Sequence, residues 1–365
     1  MVCRIEDLKK ISSILLLAVD SSEVTKLTDN LELKVEDSIL YLSVTNGEYF
    51  VEAKIPIFED INFHATINAE LFLKLISKTT SETVEFNIDS NNLIIDGNGR
   101  YKIPLIYEND KLLELPRITI SNVTNTFNIK SSVLKSLLQY NSRELNKSIV
   151  SNPVQKLYYI DGDGAITFTS GACVNNFKLE KPVKILLTKK VVTLFKLFGE
   201  EEVRFTLGID EINELPITKV RFDSEELSIS AIMPDSSLVS SVPVSAIRGR
   251  ANYDYESSVT LNRLEVVQVI ERLLLFNNFE NRNYGRLEFS SDKVAIYDFN
   301  KNNFETVRYA SGKNDSLSYS AILDLMDIKI ALDSHKDSHI QFSFGNGQAF
   351  TISNSSVCAI IPEVV

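Results

Sequence analysis

Long apolar runs are missing from this 365-residue chain. Nothing in it approaches the roughly 18 consecutive apolar residues that a membrane-spanning helix needs. Cysteines are few: Cys3, Cys173 and Cys358 are odd in number and far apart, which suits a reducing compartment and neither a disulfide framework nor a zinc site. The first ten residues, MVCRIEDLKK, carry acids and lack the apolar core of a secretion signal, so a cytoplasmic protein is expected. Positive charge is in deficit as well. A formal net charge of −11 argues against indiscriminate nucleic-acid binding over the whole surface, but leaves room for a local basic one.

Catalytic signatures are equally scarce. There is no phosphate loop of the G-x-x-x-x-G-K type and no G-x-G-x-x-G after a strand. His64 falls in a strand-like run, and His335 and His339, with Asp337 between them, read as a polar turn after a helix. Asp161-Gly162-Asp163-Gly164 has the look of a calcium loop but lacks the terminal glutamate and flanking helices, so a hairpin turn is expected. Cys173 lies near Ser170 with no histidine close in sequence. No enzyme activity, metal or cofactor is expected from these residues.

What the chain does contain is ordinary globular composition, 44% hydrophobic and 24% charged, in a length that implies two or three domains. It also contains a repeat. Residues 60–105 read as a short strand, a helix and three strands. Asn68 is the expected N-cap, Leu71, Phe72, Leu75 and Ile76 the apolar helix face, and Val84, Phe86 and Ile88 an alternating strand. Residues 5–56 repeat the unit without its first strand. After a polar connector with Pro116, two further copies cover 126–233, with Ser131 and Thr188 as expected caps. Residues 234–256 carry Pro234, Pro243 and Gly249 with little periodicity and read as a second linker. The last two copies follow, with Asn262 and Glu265 as a capping box and Ser320 capping a final helix over 321–332. Six copies in three pairs predict an α+β protein of three similar domains, 1–118, 119–240 and 241–365, with helices on one side of curved antiparallel sheets.

Charge is divided along the same lines. The six expected helices carry a net +5 between them, leaving −16 for everything else. Lys74, Lys78, Lys135, Arg143, Lys189, Lys190 and Lys196 supply most of the positive charge. A modest basic surface without a base-reading motif suits phosphate contact with no sequence preference. Lysines solvating outward helix faces would give the same count.

The repeat frame resembles the bacterial β sliding clamp, the processivity factor of replicative DNA polymerases. Four local matches sharpen the likeness. Tyr158-Tyr159-Ile160-Asp161-Gly162 is close to the family's Y-Y-L-N-G, and Thr169-Ser170-Gly171-Ala172-Cys173-Val174 falls where the family has T-D-G-H-R-L. Met233-Pro234-Asp235 resembles F-P-D, and the terminal Ala359-Ile360-Ile361-Pro362-Glu363-Val364-Val365 resembles V-V-M-P-M-R-L. The resemblance implies a head-to-tail homodimer closed as a ring around double-stranded DNA, with twelve helices lining the hole and the sheets outside. Polymerase and clamp loader would share an apolar cleft between the second and third domains. Carried over, that cleft comprises Ile160, Thr169, Gly171, Val174, Pro234, Leu238, Val239, Ile360, Ile361, Pro362, Val364 and Val365. Tyr158 and Tyr159 join the lysines above as expected DNA contacts, and Tyr101, Leu275 and Phe276 mark the expected dimer joint. Ala172 and Cys173 depart from the family's basic pair, Leu238 from a common arginine, and Glu363 places an acid at the cleft. A viral or otherwise divergent clamp would account for these departures, and a repeat-built interaction scaffold without DNA binding is the competing reading.

Overall fold

The computed structural model describes residues 1–19, 27–59, 61–142, 152–212, 214–276, 283–311, 317–345 and 347–364. The chain is α+β, and by internal contacts it forms two compact units. One comprises Met1–Ser131 with Thr193–Asp235, the other Ser132–Val192 with Ser236–Val365. The middle third of the sequence is thus shared between the units because its strands continue sheets begun elsewhere. In the first unit Leu227–Ile232 pairs antiparallel with Tyr49–Pro56. In the second, Ala172–Asn176 pairs antiparallel with Val357–Ile361.

The repeats interlock by exchanging their first strands. Val2–Arg4 pairs with Thr83–Asp89, and His64–Asn68 with Asn30–Glu36, so each opening strand completes the sheet of the other copy. The first copy therefore has its opening strand, three residues long, a length too short to show an alternation in sequence. The exchange recurs where Val123–Lys130 pairs with Glu202–Ile212 and Lys184–Thr188 with Leu157–Asp161. It recurs again where Ser257–Asn262 pairs with His339–Phe344 and Tyr319–Asp324 with Tyr284–Phe289. Neither copy of a pair completes its hydrogen-bonded ladder alone, which is why the copies come in twos.

Seven α-helices lie among the described residues: α1 (Ile5–Leu15), α2 (Ala69–Lys78), α3 (Ser131–Ser136), α4 (Lys189–Leu194), α5 (Val244–Ala251), α6 (Arg263–Leu274) and α7 (Leu325–Ser334). Asn68 caps α2, its side chain accepting from the Leu71 N–H at 2.9 Å, and Asn262 caps α6 by accepting from Glu265 N–H at 3.2 Å. Thr188 accepts from Val191 N–H at 3.3 Å in α4. Two expected caps are corrected. Ser131 is the first residue of α3, and its hydroxyl accepts from Glu201 N–H at 3.1 Å. Ser320 sits in a strand, and Asp324 caps α7 by accepting from Met326 and Asp327 N–H. The stretch Ala321-Ile322-Leu323 satisfies both a strand and a helix period, and the downstream carboxylate decides where the helix starts.

The buried face of α2 is Ala69, Phe72, Leu73 and Ile76, whereas Leu71 is 51% exposed. Spacings of three, four and seven define that face, and Leu71 falls outside it. The expected linker over 234–256 contains α5, preceded by a short 3-10 turn at Ser236–Ser241. Only Ile247 of α5 is buried, so no amphipathic period announces the helix. α1 packs on α2 and α6 on α7. No described helix is long and apolar enough to cross a membrane.

Candidate peptide cavity and basic helices

In the second unit the edge strand Lys184–Thr188 is followed in sheet order by Leu157–Asp161, Gly164–Phe168, Ala172–Asn176 and Val357–Ile361. The hairpin between the third and fourth strands turns tightly at residues 169–171, where Thr169 N–H donates to Gly171 O at 2.9 Å. Beside it, against the end of the Val357–Ile361 strand, opens a cavity of about 180 Å³. Its lining is Phe168, Thr169, Ser170, Gly171, Ala172, Pro243, Ile247, Arg250, Ala349, Ile360 and Pro362.

Four of the expected cleft residues, Thr169, Gly171, Ile360 and Pro362, are therefore brought together. Others are not on this lining. Ile361 packs in the core with α7, because successive residues of a strand face opposite sides and Ile360 already takes the cavity side. Ile160 and Val174 are buried within the sheet. Leu238 and Val239 are half-buried on the 3-10 turn that packs against the edge strand Lys184–Thr188. Pro234 belongs to the first unit, where it is half-buried. Val364 N–H donates to Ile322 O at 2.8 Å, laying the chain end along the Tyr319–Asp324 strand, where Tyr319 also donates its hydroxyl to Glu363. Val365 lies outside the described residues.

The place of the missing lining is taken by α5, which contributes Pro243 from its N-cap position together with Ile247 and Arg250. α5 packs on the strands Ala172–Asn176 and Val357–Ile361 and is clamped by Arg248. The Arg248 guanidinium reaches Asp161 Oδ1 at 2.6 Å and Asp163 Oδ2 at 3.3 Å in the turn that sequence resembled a calcium loop. Lys178 also pairs with Asp163, and its hydrogen bond holds that carboxyl below the usual carboxylate range. The two aspartates thus serve a helix clamp. Among the described residues no group of three or more His, Cys, Asp and Glu is placed to hold a metal ion.

Beneath the hairpin lies a buried polar network. Asn141, fully buried on the π-helical turn Leu137–Asn141 that continues α3, donates from Nδ2 to Thr167 Oγ1 and to Cys173 O, both at 3.3 Å. Asn175 Nδ2 donates to Asn141 Oδ1 at 3.3 Å and to Ser136 Oγ at 2.9 Å. These bonds satisfy groups that would each cost about 1–3 kcal/mol if buried unpaired, and they hold the hairpin to the helix below it. Burial pushes the Cys358 thiol up to about 12, well away from a reactive thiolate.

Of the basic residues, Lys74 and Lys78 are exposed, four apart on one face of α2, with Lys74 paired to Glu70. Lys189 and Lys190 are exposed at the start of α4, Lys196 is exposed on the following 3-10 turn, and Lys135 is half-buried on α3. Arg143 lies outside the described residues. Tyr158 and Tyr159 are corrected as DNA contacts: they are 0% and 4% exposed, so their rings pack in the interior and offer nothing to a phosphate. At the expected joint, Tyr101 is on Arg100–Pro104, the outer strand of a four-stranded sheet. Leu275 and Phe276, at 80% and 61% exposure, follow α6. Arg272 of α6 pairs with Glu305, and among the described residues 304–308 pair with Lys293–Asp298 on one side only, so this unit too presents an open strand edge.

Three interlocked pairs of strand–helix–strand repeats, with sheets running on from pair to pair, define a DNA-clamp fold. The particular fold is that of the bacterial sliding clamps. The Bacillus subtilis DNA polymerase sliding clamp superposes with a TM-score of 0.78 at 16% identity, over 100% of this chain and 98% of that one. The Streptococcus pyogenes DNA polymerase beta subunit gives 0.82 at 14%, over 100% and 99%. The Pseudomonas aeruginosa sliding clamp, DNA polymerase III subunit beta, solved bound to griselimycin, gives 0.81 at 13%, over 100% and 99%. No protein-family model matches the sequence, and no curated protein matches it. The likeness thus lies in the backbone architecture, at 13–16% sequence identity.

Proposed function

We propose that this chain is a DNA sliding clamp: a non-catalytic, head-to-tail homodimer that encircles double-stranded DNA and tethers a replicative polymerase. The observation that carries this reading is the likeness of the entire chain, end to end, to proteins solved as polymerase sliding clamps. The three domains would be 1–118, 119–240 and 241–365, each one interlocked pair of repeats. Lys74, Lys78, Lys135, Arg143, Lys189, Lys190 and Lys196 would face the duplex. Lysines at the start of α4 support this, since positive charge there opposes the helix dipole. Phosphate contacts of this kind carry no sequence information, and topological enclosure supplies persistence without tight affinity. The −16 charge outside the helices would disfavour DNA on the wrong face. The open strand edges near Tyr101 and near Leu275 and Phe276 would meet in the dimer.

The cavity beside the 169–171 turn would receive peptides of polymerase and clamp loader in the cytoplasm, in turn, through apolar anchors. Primer extension with a cognate polymerase and loader tests the whole reading. Products should lengthen in the presence of the chain, and the chain should stay on nicked circular DNA but run off after linearisation. Unchanged products with no retention on the circle would leave the interaction-scaffold reading in its place.

A further inference from the structure

Among the described residues Arg250 is the one charged residue on the wall of the cavity. Apart from Thr169 and Ser170 the wall is apolar, formed by Phe168, Ala172, Ile247, Ile360 and Pro362 among others. Arg250 belongs to the last turn of α5, where its carbonyl accepts from the Tyr255 hydroxyl at 3.1 Å. Its neighbour Arg248 is paired with two aspartates, but among the described residues no carboxylate pairs with the Arg250 guanidinium. On a chain of net charge −11, an exposed cation without an acid at the mouth of an apolar cavity is out of keeping with its surroundings.

The volume, about 180 Å³, suits one large side chain and falls short of the roughly 300 Å³ where drug-sized ligand pockets begin. Both strands flanking the cavity are already paired on each side, so an incoming chain cannot be added as another strand. It must be held by side-chain anchors. Once an apolar anchor covers the cavity, Arg250 loses water on that side, and a carboxylate from the same ligand restores what it loses.

Resting on the clamp reading above, we propose that the cavity selects partner peptides bearing an aspartate or glutamate side chain one or two residues from their apolar anchor, with Arg250 as the specificity-determining residue. An extended peptide advances about 3.3 Å per residue, which keeps such an acid within reach of a flexible arginine at the rim.

The test is selection of phage-displayed random heptapeptides on the full chain, followed by fluorescence polarisation with amidated synthetic copies, so that no C-terminal carboxylate is present. Selected sequences should share an acid at a fixed distance from an apolar residue. Replacing that acid by its amide should weaken binding about fivefold on the unmodified chain and not on Arg250→Gln. Arg250→Glu should select lysine or arginine at the same place. An acid-neutral pool, or the same fivefold loss on Arg250→Gln, overturns the inference. Ala349→Phe and Ser170→Trp fill the cavity from two sides and separate the inference from the reading beneath it, with circular dichroism confirming that each variant folds. If the selected peptides bind both filled variants normally, the cavity is not their site and the cleft reading itself fails. If filling abolishes binding while Arg250→Gln leaves acid preference intact, the cleft stands and only the role of Arg250 falls. No enrichment at all overturns both.

Discussion

Gly171 and Ile360 are in such close contact that a Cβ on the glycine would lie 2.3 Å from the Ile360 carbonyl oxygen and 3.4 Å from Pro362 Cδ. The contact sets how tightly the hairpin leans on the Val357–Ile361 strand, and so sets the shape of the cavity. Gly171→Ala should push the hairpin outward, costing about 1–3 kcal/mol by overpacking and weakening peptide binding at least tenfold. Urea denaturation and polarisation titration check the two parts separately. Normal binding by a folded Gly171→Ala would detach the cavity from the peptide site.

His335 gives the second unit a pH dependence. His335 is 2% exposed, its ring 5.9 Å from the Tyr140 ring, and among the described residues neither nitrogen has a hydrogen-bond partner. Burial lowers its pKa to about 4, against an opposing pull from Asp337 and a small push from Arg263 in the same direction. In the unfolded chain the imidazole titrates near its usual value of about 6.5. Between those values the unfolded state holds more protons, so stability rises with pH through the window from about 4 to 6.5 and is lost as pH falls through it. The loss at the acid end is about 3 kcal/mol by linkage. His335→Leu should flatten chemical-denaturation stability across this window, and an undiminished slope in that variant would assign the dependence to other groups.

Lys74 and Lys78 test the duplex-facing surface. Lys74→Glu with Lys78→Glu leaves the buried face of α2 untouched, so thermal stability should change little. The logarithmic salt dependence of DNA retention should shallow by about two if both lysines contact phosphate. Retention with an unaltered salt slope would place α2 away from DNA.

Oligomeric state is open to a direct measurement. Tyr101→Asp or Phe276→Asp puts a charge into an apolar contact, and either should convert a dimer to monomer in light scattering at micromolar concentration. Assembly that ignores both substitutions would locate the joint elsewhere.

The sequence by itself determined the repeats, their pairing and most helix positions, because these rest on local period and cap chemistry. Asn68, Asn262 and Thr188 each bond a backbone N–H two or three residues into a helix, which is information carried within a few residues of chain. Where two periods overlapped, as at Ala321-Ile322-Leu323, the residues alone could not choose. Which strand joins which sheet was decided only in three dimensions: Val2–Arg4 completes its ladder some eighty residues downstream. The site divided in the same way. Thr169, Gly171, Ile360 and Pro362 were legible through a motif, while Pro243, Ile247 and Arg250 were not, since α5 carries no amphipathic pattern and is held in place by Arg248 reaching Asp161. Local order follows from neighbours in sequence; the cavity exists because residues 168–172, 243–250 and 349–362 meet through contacts that no single stretch encodes.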